Sequence, residues 1–135
     1  MTPEPSVNVC SRNCPSQSVL DMIADRWSVL ILYALKKNGT SRYSDLQHTL
    51  NGISQKMLTQ TLRSLERDGL VRRVSYPVVP PHTEYSLTEL SDSLSGITEL
   101  MSEWAMSNMP AVLENRTRYD ARQESVRKAA PATPS

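Results

Sequence analysis

Apolar residues in the first third of the chain return every three or four positions: Val19, Leu20, Ile23 and Trp27, then Leu30, Ile31, Ala34 and Leu35. This rhythm predicts two helices in close succession. Pro15 suits the first helical position, with Cys14 at the cap before it. Lys36-Lys37 and then Gly39 favour the end of the second helix. The polar run Thr40 to Tyr43 reads as a short strand, after which Ser44 and Asp45 open a brief helix carrying Leu46 and Leu50 up to the Asn51-Gly52 stop. Ser54 caps the next helix, in which Leu58, Leu62 and Leu65 share one side until Asp68-Gly69, with Ile53 before them and Leu70 after. Leu70 to Tyr76 and Thr83 to Leu87 are β-rich runs joined by the stiff tip Pro77-Val78-Val79-Pro80-Pro81-His82, which predicts a hairpin. Leu90, Leu94, Ile97, Met101 and Trp104 then form a heptad-like seam suited to another helix. Pro110 is expected to start a fresh turn, with Val112, Leu113, Arg116, Tyr119 and Arg122 on a last, less apolar helix.

The polar positions change this picture most between Ser54 and Asp68. On a wheel of about 100° per residue, Lys56, Thr59, Gln60, Arg63 and Arg67 lie opposite the leucine stripe, with no acid among them. A helix reads the major groove only when one face is anchored in a core and the other offers such donors. The element order of helix, helix, short strand, helix, helix, strand, strand, helix is that of a winged helix-turn-helix. The fold class expected is therefore mostly α with a small β-hairpin. An amphipathic helix that packs a core and solvates its other face fits the periodicity alone equally well; element order and charge favour the DNA-binding reading.

Charge sharpens the contrast between segments. The chain has 135 residues with 15 Lys and Arg against 14 Asp and Glu, a balance that conceals two opposed regions. Lys36 to Arg73 holds eight cations against three acids, whereas Glu84 to Glu103 holds five acids and no cation. One basic half suggests a polyanionic partner. Length and an apolar content of 39% fit one domain, expected over residues 10–122 between a loose leader, 1–9, and a loose tail, 123–135. No run approaches a membrane span, and Met1 to Pro5 lacks a signal pattern, so a cytoplasmic location without membrane contact is expected. Two cysteines, Cys10 and Cys14, are too few for a disulfide framework.

Several separate blocks resemble one family. Cys14-Pro15, Asp25-Arg26-Trp27, Arg42-Tyr43-Ser44-Asp45-Leu46, the stretch Gly52 to Val71 and the stretch Pro77 to Leu90 are similar, in that order, to HxlR-type regulators. The resemblance spans Cys14 to Trp104 and implies a dimeric winged-helix regulator of MarR-like architecture, a repressor or an activator, whose N- and C-terminal helices make the dimer contact. The partners so implied are double-stranded DNA and a second copy of the chain, with an oxidant, an electrophile or a small molecule as effector. The DNA-binding set comprises Ser54, Gln55, Lys56, Thr59, Gln60, Arg63 and Arg67, flanked by Arg42 and by His82 of the wing. Family wings often carry Arg or Lys after the two prolines, where this chain has His82-Thr83, which points to a weaker or pH-sensitive wing contact.

The resemblance also implies a role for Cys14, since in several family members the cysteine before the proline senses oxidants, quinones or aldehydes. A thiol capping a helix near Arg12 has the surroundings that stabilise a thiolate, so Cys14 is the redox-sensing candidate; a small packed residue is the alternative. Cys10, Cys14, His48 and His82 lack zinc-finger spacing, and no phosphate loop, nucleophile elbow or paired-carboxylate motif occurs. Neither metal, cofactor nor enzymatic activity is expected. Trp27, Tyr33 and Trp104 read as core before they read as an effector pocket. The competing readings are a winged-helix protein-interaction module using the Leu94 to Trp104 seam, a regulator answering a non-covalent effector, and a small thiol enzyme using Cys10 and Cys14.

Overall fold

The computed structural model describes Cys10 and residues 14–129. Its elements are α1 (Ser16–Ala24), α2 (Arg26–Asn38), β1 (Ser41–Arg42), α3 (Tyr43–Thr49), α4 (Gln55–Arg67), β2 (Val71–Tyr76), β3 (His82–Leu87) and α5 (Glu89–Ala129). The chain divides into two compact units between Leu100 and Met101.

In the first unit, Asp25 separates α1 from α2. Its backbone is extended, and its carboxylate accepts the Ser28 N–H at 3.2 Å, satisfying one of the orphan donors at the start of α2. The cap of α1 differs from the sequence expectation. Pro15 occupies the cap position without a side-chain hydrogen bond, and Cys14 lies one residue earlier, its carbonyl accepting from the Gln17 N–H at 3.0 Å. Helix α3 starts at Tyr43, one residue before the Ser44 expected, because the Asp45 carboxylate reaches back to the Arg42 N–H at 3.1 Å.

Helix α4 is closed at both ends. Ser54 Oγ accepts the Met57 N–H at 3.1 Å. At the far end the Leu70 N–H returns to the Leu65 carbonyl and the Gly69 N–H to the Glu66 carbonyl, the paired bonds of a Schellman turn. That turn needs a left-handed residue, supplied by Gly69 at φ +78°. Leu65 and Leu70 are both buried, so the turn is pinned by packing as well.

Ile31, Leu32 and Leu35 of α2 meet Leu46 of α3, Leu58, Leu62 and Leu65 of α4, and Val71 and Tyr85 of the sheet in one core. The sheet is antiparallel in the order β1-β3-β2, with Ser41 opposite Tyr85 and Val71 opposite Leu87. The short β1 thus ties the helical layer to the hairpin. The start of α5 buries Ser91, Ser95 and Thr98 rather than leucines. Each hydroxyl donates to a carbonyl three residues earlier, so these polar groups enter the interior satisfied.

The second unit corrects three expectations. Helix α5 continues through Pro110. The ring removes the N–H that would reach the Met106 carbonyl, but one missing rung does not halt a long cooperative ladder. The helix also passes Arg122 to Ala129, so residues 123–129, expected as tail, are helical; residues 1–9 and 130–135 lie outside the described residues. Ion pairs one turn apart, Arg118–Glu114 at 2.8 Å and Lys128–Glu124 at 3.4 Å, line this stretch. In the single chain Trp104 is 62% exposed rather than core, and Met106, Met109 and Leu113 are exposed beside it.

Candidate nucleic-acid interface

The core holds α4 by one side and leaves the other to solvent. Leu58, Leu62 and Leu65 are fully buried, whereas Gln55, Lys56, Gln60, Arg63, Ser64 and Arg67 are exposed. An open groove of about 710 Å³ follows this face, lined by Gln55, Lys56, Thr59, Gln60, Arg63 and Ser64. The face carries three cations and no carboxylate. Six of the residues singled out from sequence therefore lie together: Gln55, Lys56, Thr59, Gln60, Arg63 and Arg67. Ser54 stands at the N-terminal end of the same helix, its oxygen already engaged by the Met57 N–H.

Thr59 is only half exposed, and its hydroxyl lies 3.0 Å from the Tyr43 hydroxyl, which also donates to the Gln55 carbonyl at 3.0 Å. Tyr43 thus clamps the first turns of α4 to α3. Sequence reading missed it, because a tyrosine in a short polar connection carries no signal of the partner it finds 16 residues away. Glu66 was missed likewise; its carboxylate pairs with Arg73 Nε of β2 at 3.2 Å. Arg73 also donates to Ser75 Oγ at 3.1 Å.

The flanking residues divide. Arg42 is exposed on β1. His82 is tied down: its ring stacks on Tyr76 with centroids 4.8 Å apart, and Nε2 lies 3.5 Å from Glu84 Oε1. The wing instead presents Val79, 99% exposed at its tip. Cys14 is half-buried and Cys10 exposed, neither in a disulfide; Arg12, the cation expected near Cys14, lies outside the described residues. Among the described residues no helix is long and apolar enough to cross a membrane, and no three His, Cys, Asp or Glu side chains gather as metal ligands.

A core-anchored helix with a cationic outer face, preceded by a supporting helix and followed by a hairpin, has close counterparts among known proteins. The family model described as HxlR-like helix-turn-helix matches residues 22–112. The chain belongs to the HxlR family. The HTH-type transcriptional regulator YtfH of Escherichia coli K12 is 48% identical over 109 residues, covering 81% of this chain and 86% of that protein. The solved structure of the ytfH transcriptional regulator from Salmonella typhimurium superposes with a TM-score of 0.76 at 49% identity, covering 82% of this chain and 97% of that one. The oxidised form of the redox regulator HypR superposes with a TM-score of 0.64 at 41% identity, covering 70% of this chain and 97% of that one. This HxlR-family chain is accordingly a transcriptional regulator with a DNA-binding winged helix-turn-helix, and its relatives are regulators rather than enzymes.

Proposed function

We propose that this protein is a homodimeric repressor whose two α4 helices enter successive major grooves, about 34–36 Å apart, of a pseudo-palindromic operator. The observation that carries this reading is the exposed, acid-free face of α4 opposite a fully buried leucine stripe. Arg63 and Lys56 contact guanine edges or phosphate, and Gln60 reads a base edge. Thr59, Gln55, Arg67 and Arg42 add phosphate or groove contacts, and Ser54 presents the helix N-terminus, where amide groups favour a phosphate. His82 orders the wing through Tyr76 and Glu84. The self-association surface is the apolar side of α5, where Trp104, Met106, Met109, Val112 and Leu113 line a groove of about 380 Å³. Residues 10–122 supply both functions.

Cys14 is the signal input. Its half-buried thiol stands just before α1, and likeness to the redox regulator HypR supports a thiol switch. Oxidation to a disulfide with the partner's cysteine shifts the recognition helices and weakens operator binding. The test is fluorescence anisotropy of a labelled duplex taken from DNA upstream of the protein's own gene, at two salt concentrations, reduced and after diamide. Salt-dependent binding that weakens on oxidation and recovers with reductant is the expected result. Binding indifferent to diamide removes the thiol switch, and binding no tighter than to random duplex removes the operator reading.

A further inference from the structure

The tip of the hairpin is built unlike the outer face of α4. Cations end at Arg73, and from Val74 to Thr83 no Lys, Arg, Asp or Glu occurs. Within that stretch Pro77, Val78, Val79, Pro80 and Pro81 are consecutive apolar residues, every one of them exposed. Such a run on a surface is a liability unless it has a contact to make. Proline has no N–H, so this tip offers at most the amides of Val78 and Val79 and no side-chain donor. It is poorly made to grip phosphate, which is held by cations, hydroxyls and amides. It is well made to enter a narrow slot. The prolines fix φ, the ladder pairs the strands up to Tyr76 and His82, and the rings of that last pair stack at 4.8 Å. Little order remains to be gained on binding.

What covers the tip follows from where the hairpin begins. Thr59 and Arg63 of the α4 groove also line a notch with Arg73 and Tyr85, so the hairpin starts at the edge of the DNA-facing side. At about 3.3 Å per strand residue, the chain from Arg73 to Val79 reaches roughly 15–20 Å. That exceeds the major-groove width of about 12 Å. With α4 in a major groove, the hairpin is long enough to pass one sugar-phosphate strand, and the absence of carboxylates at its tip removes repulsion by the phosphates.

We propose that the wing tip is an apolar wedge: Val79 enters the minor groove beside the α4 site and partly unstacks one base step there. This groove is about 6 Å wide, which admits an isopropyl group but no helix. Apolar side chains set into a minor groove act by separating base steps and bending the duplex. Pyrimidine–purine steps unstack at the least cost, so the wing selects TA or CA there without a hydrogen bond to any base. The inference rests on the operator reading above and adds to it a sequence preference outside the reach of α4.

The test uses the full chain and a duplex that it enriches from a random library, with 2-aminopurine replacing each flanking adenine in turn. Fluorescence of this base rises when it unstacks. Binding is expected to raise it at one flanking step, Val79→Ala to lose about half of that rise or more, and Val79→Leu to keep it. Val79 is 99% exposed, so both variants should melt as the parent does. An enriched duplex with no rise at any flanking step, or a rise that Val79→Ala leaves intact, overturns the wedge while the operator reading stands. A changed sedimentation of free Val79→Ala with the rise intact assigns the tip to a second copy and overturns it likewise. If no sequence is enriched, the operator reading fails and the wedge falls with it.

Discussion

Helix α4 and the C-terminal stretch of α5 both carry apolar residues at helical spacing, yet they dispose of them in opposite ways. In α4 the leucines vanish into the core, and what remains outside is, Met57 apart, polar and cationic. In α5 beyond Met101 the large side chains Trp104, Met106, Met109 and Leu113 stay exposed in the single chain. The first arrangement completes a stable unit and presents a surface for a charged, hydrated partner. The second leaves apolar surface of the kind that a protein partner covers. Spacing is common to both helices; what differs is whether the rest of the same chain supplies the other half of the contact.

The sharpest way to break this contrast is to truncate one buried and one exposed side chain. Leu58→Ala should cost about 2–5 kcal/mol in urea unfolding, since a fully buried leucine leaves a cavity. Trp104→Ala should leave that unit's folding nearly intact and instead weaken self-association by about 2 kcal/mol or more, read by sedimentation over a concentration series. Equal losses of stability in the two variants would erase the distinction.

The outer face of α4 is tested next. Arg63→Ala should lose about 1–3 kcal/mol of operator affinity by anisotropy, and near-parental affinity removes it from the interface. Ser54→Ala should lower thermal stability by about 0.5–2 kcal/mol, because the Met57 N–H loses its acceptor. The smallest effect is expected from Tyr43→Phe. Loss of its hydroxyl frees Thr59 and the Gln55 carbonyl, lowering stability by about 0.5–1.5 kcal/mol. Operator affinity should fall alongside, through looser placement of α4. A variant that melts normally but binds DNA as tightly as the parent shows that the clamp has no positioning role.

Much of the fold was legible because it is local. The Ser54 cap, the Asp68-Gly69 stop and the hairpin ends are signals between residues a few positions apart, and the structure places those elements within about one residue of expectation. The acid-free face of α4 was legible too, since a helical wheel needs only the sequence. The errors have equally local causes. A proline inside a helical pattern ordinarily marks a start, but at Pro110 the flanking turns carry the helix across the missing bond. Trp104 was assigned to core on spacing alone, and spacing does not say whether a partner element belongs to the same chain.

The polar details were set at longer range. His82 was expected at a wing contact with DNA, and strand pairing places it opposite Tyr76, where the rings stack. The Tyr43 clamp and the Glu66–Arg73 pair each join residues from different elements. Alternation of apolar and polar positions, capping residues and turn glycines determined by themselves which segments become helix or strand and which side of α4 faces water. Only the tertiary structure decided which polar groups meet, because hydrogen bonds and ion pairs depend on distances of a few ångströms. Those distances exist only once the leucine core has brought α3, α4 and the sheet together.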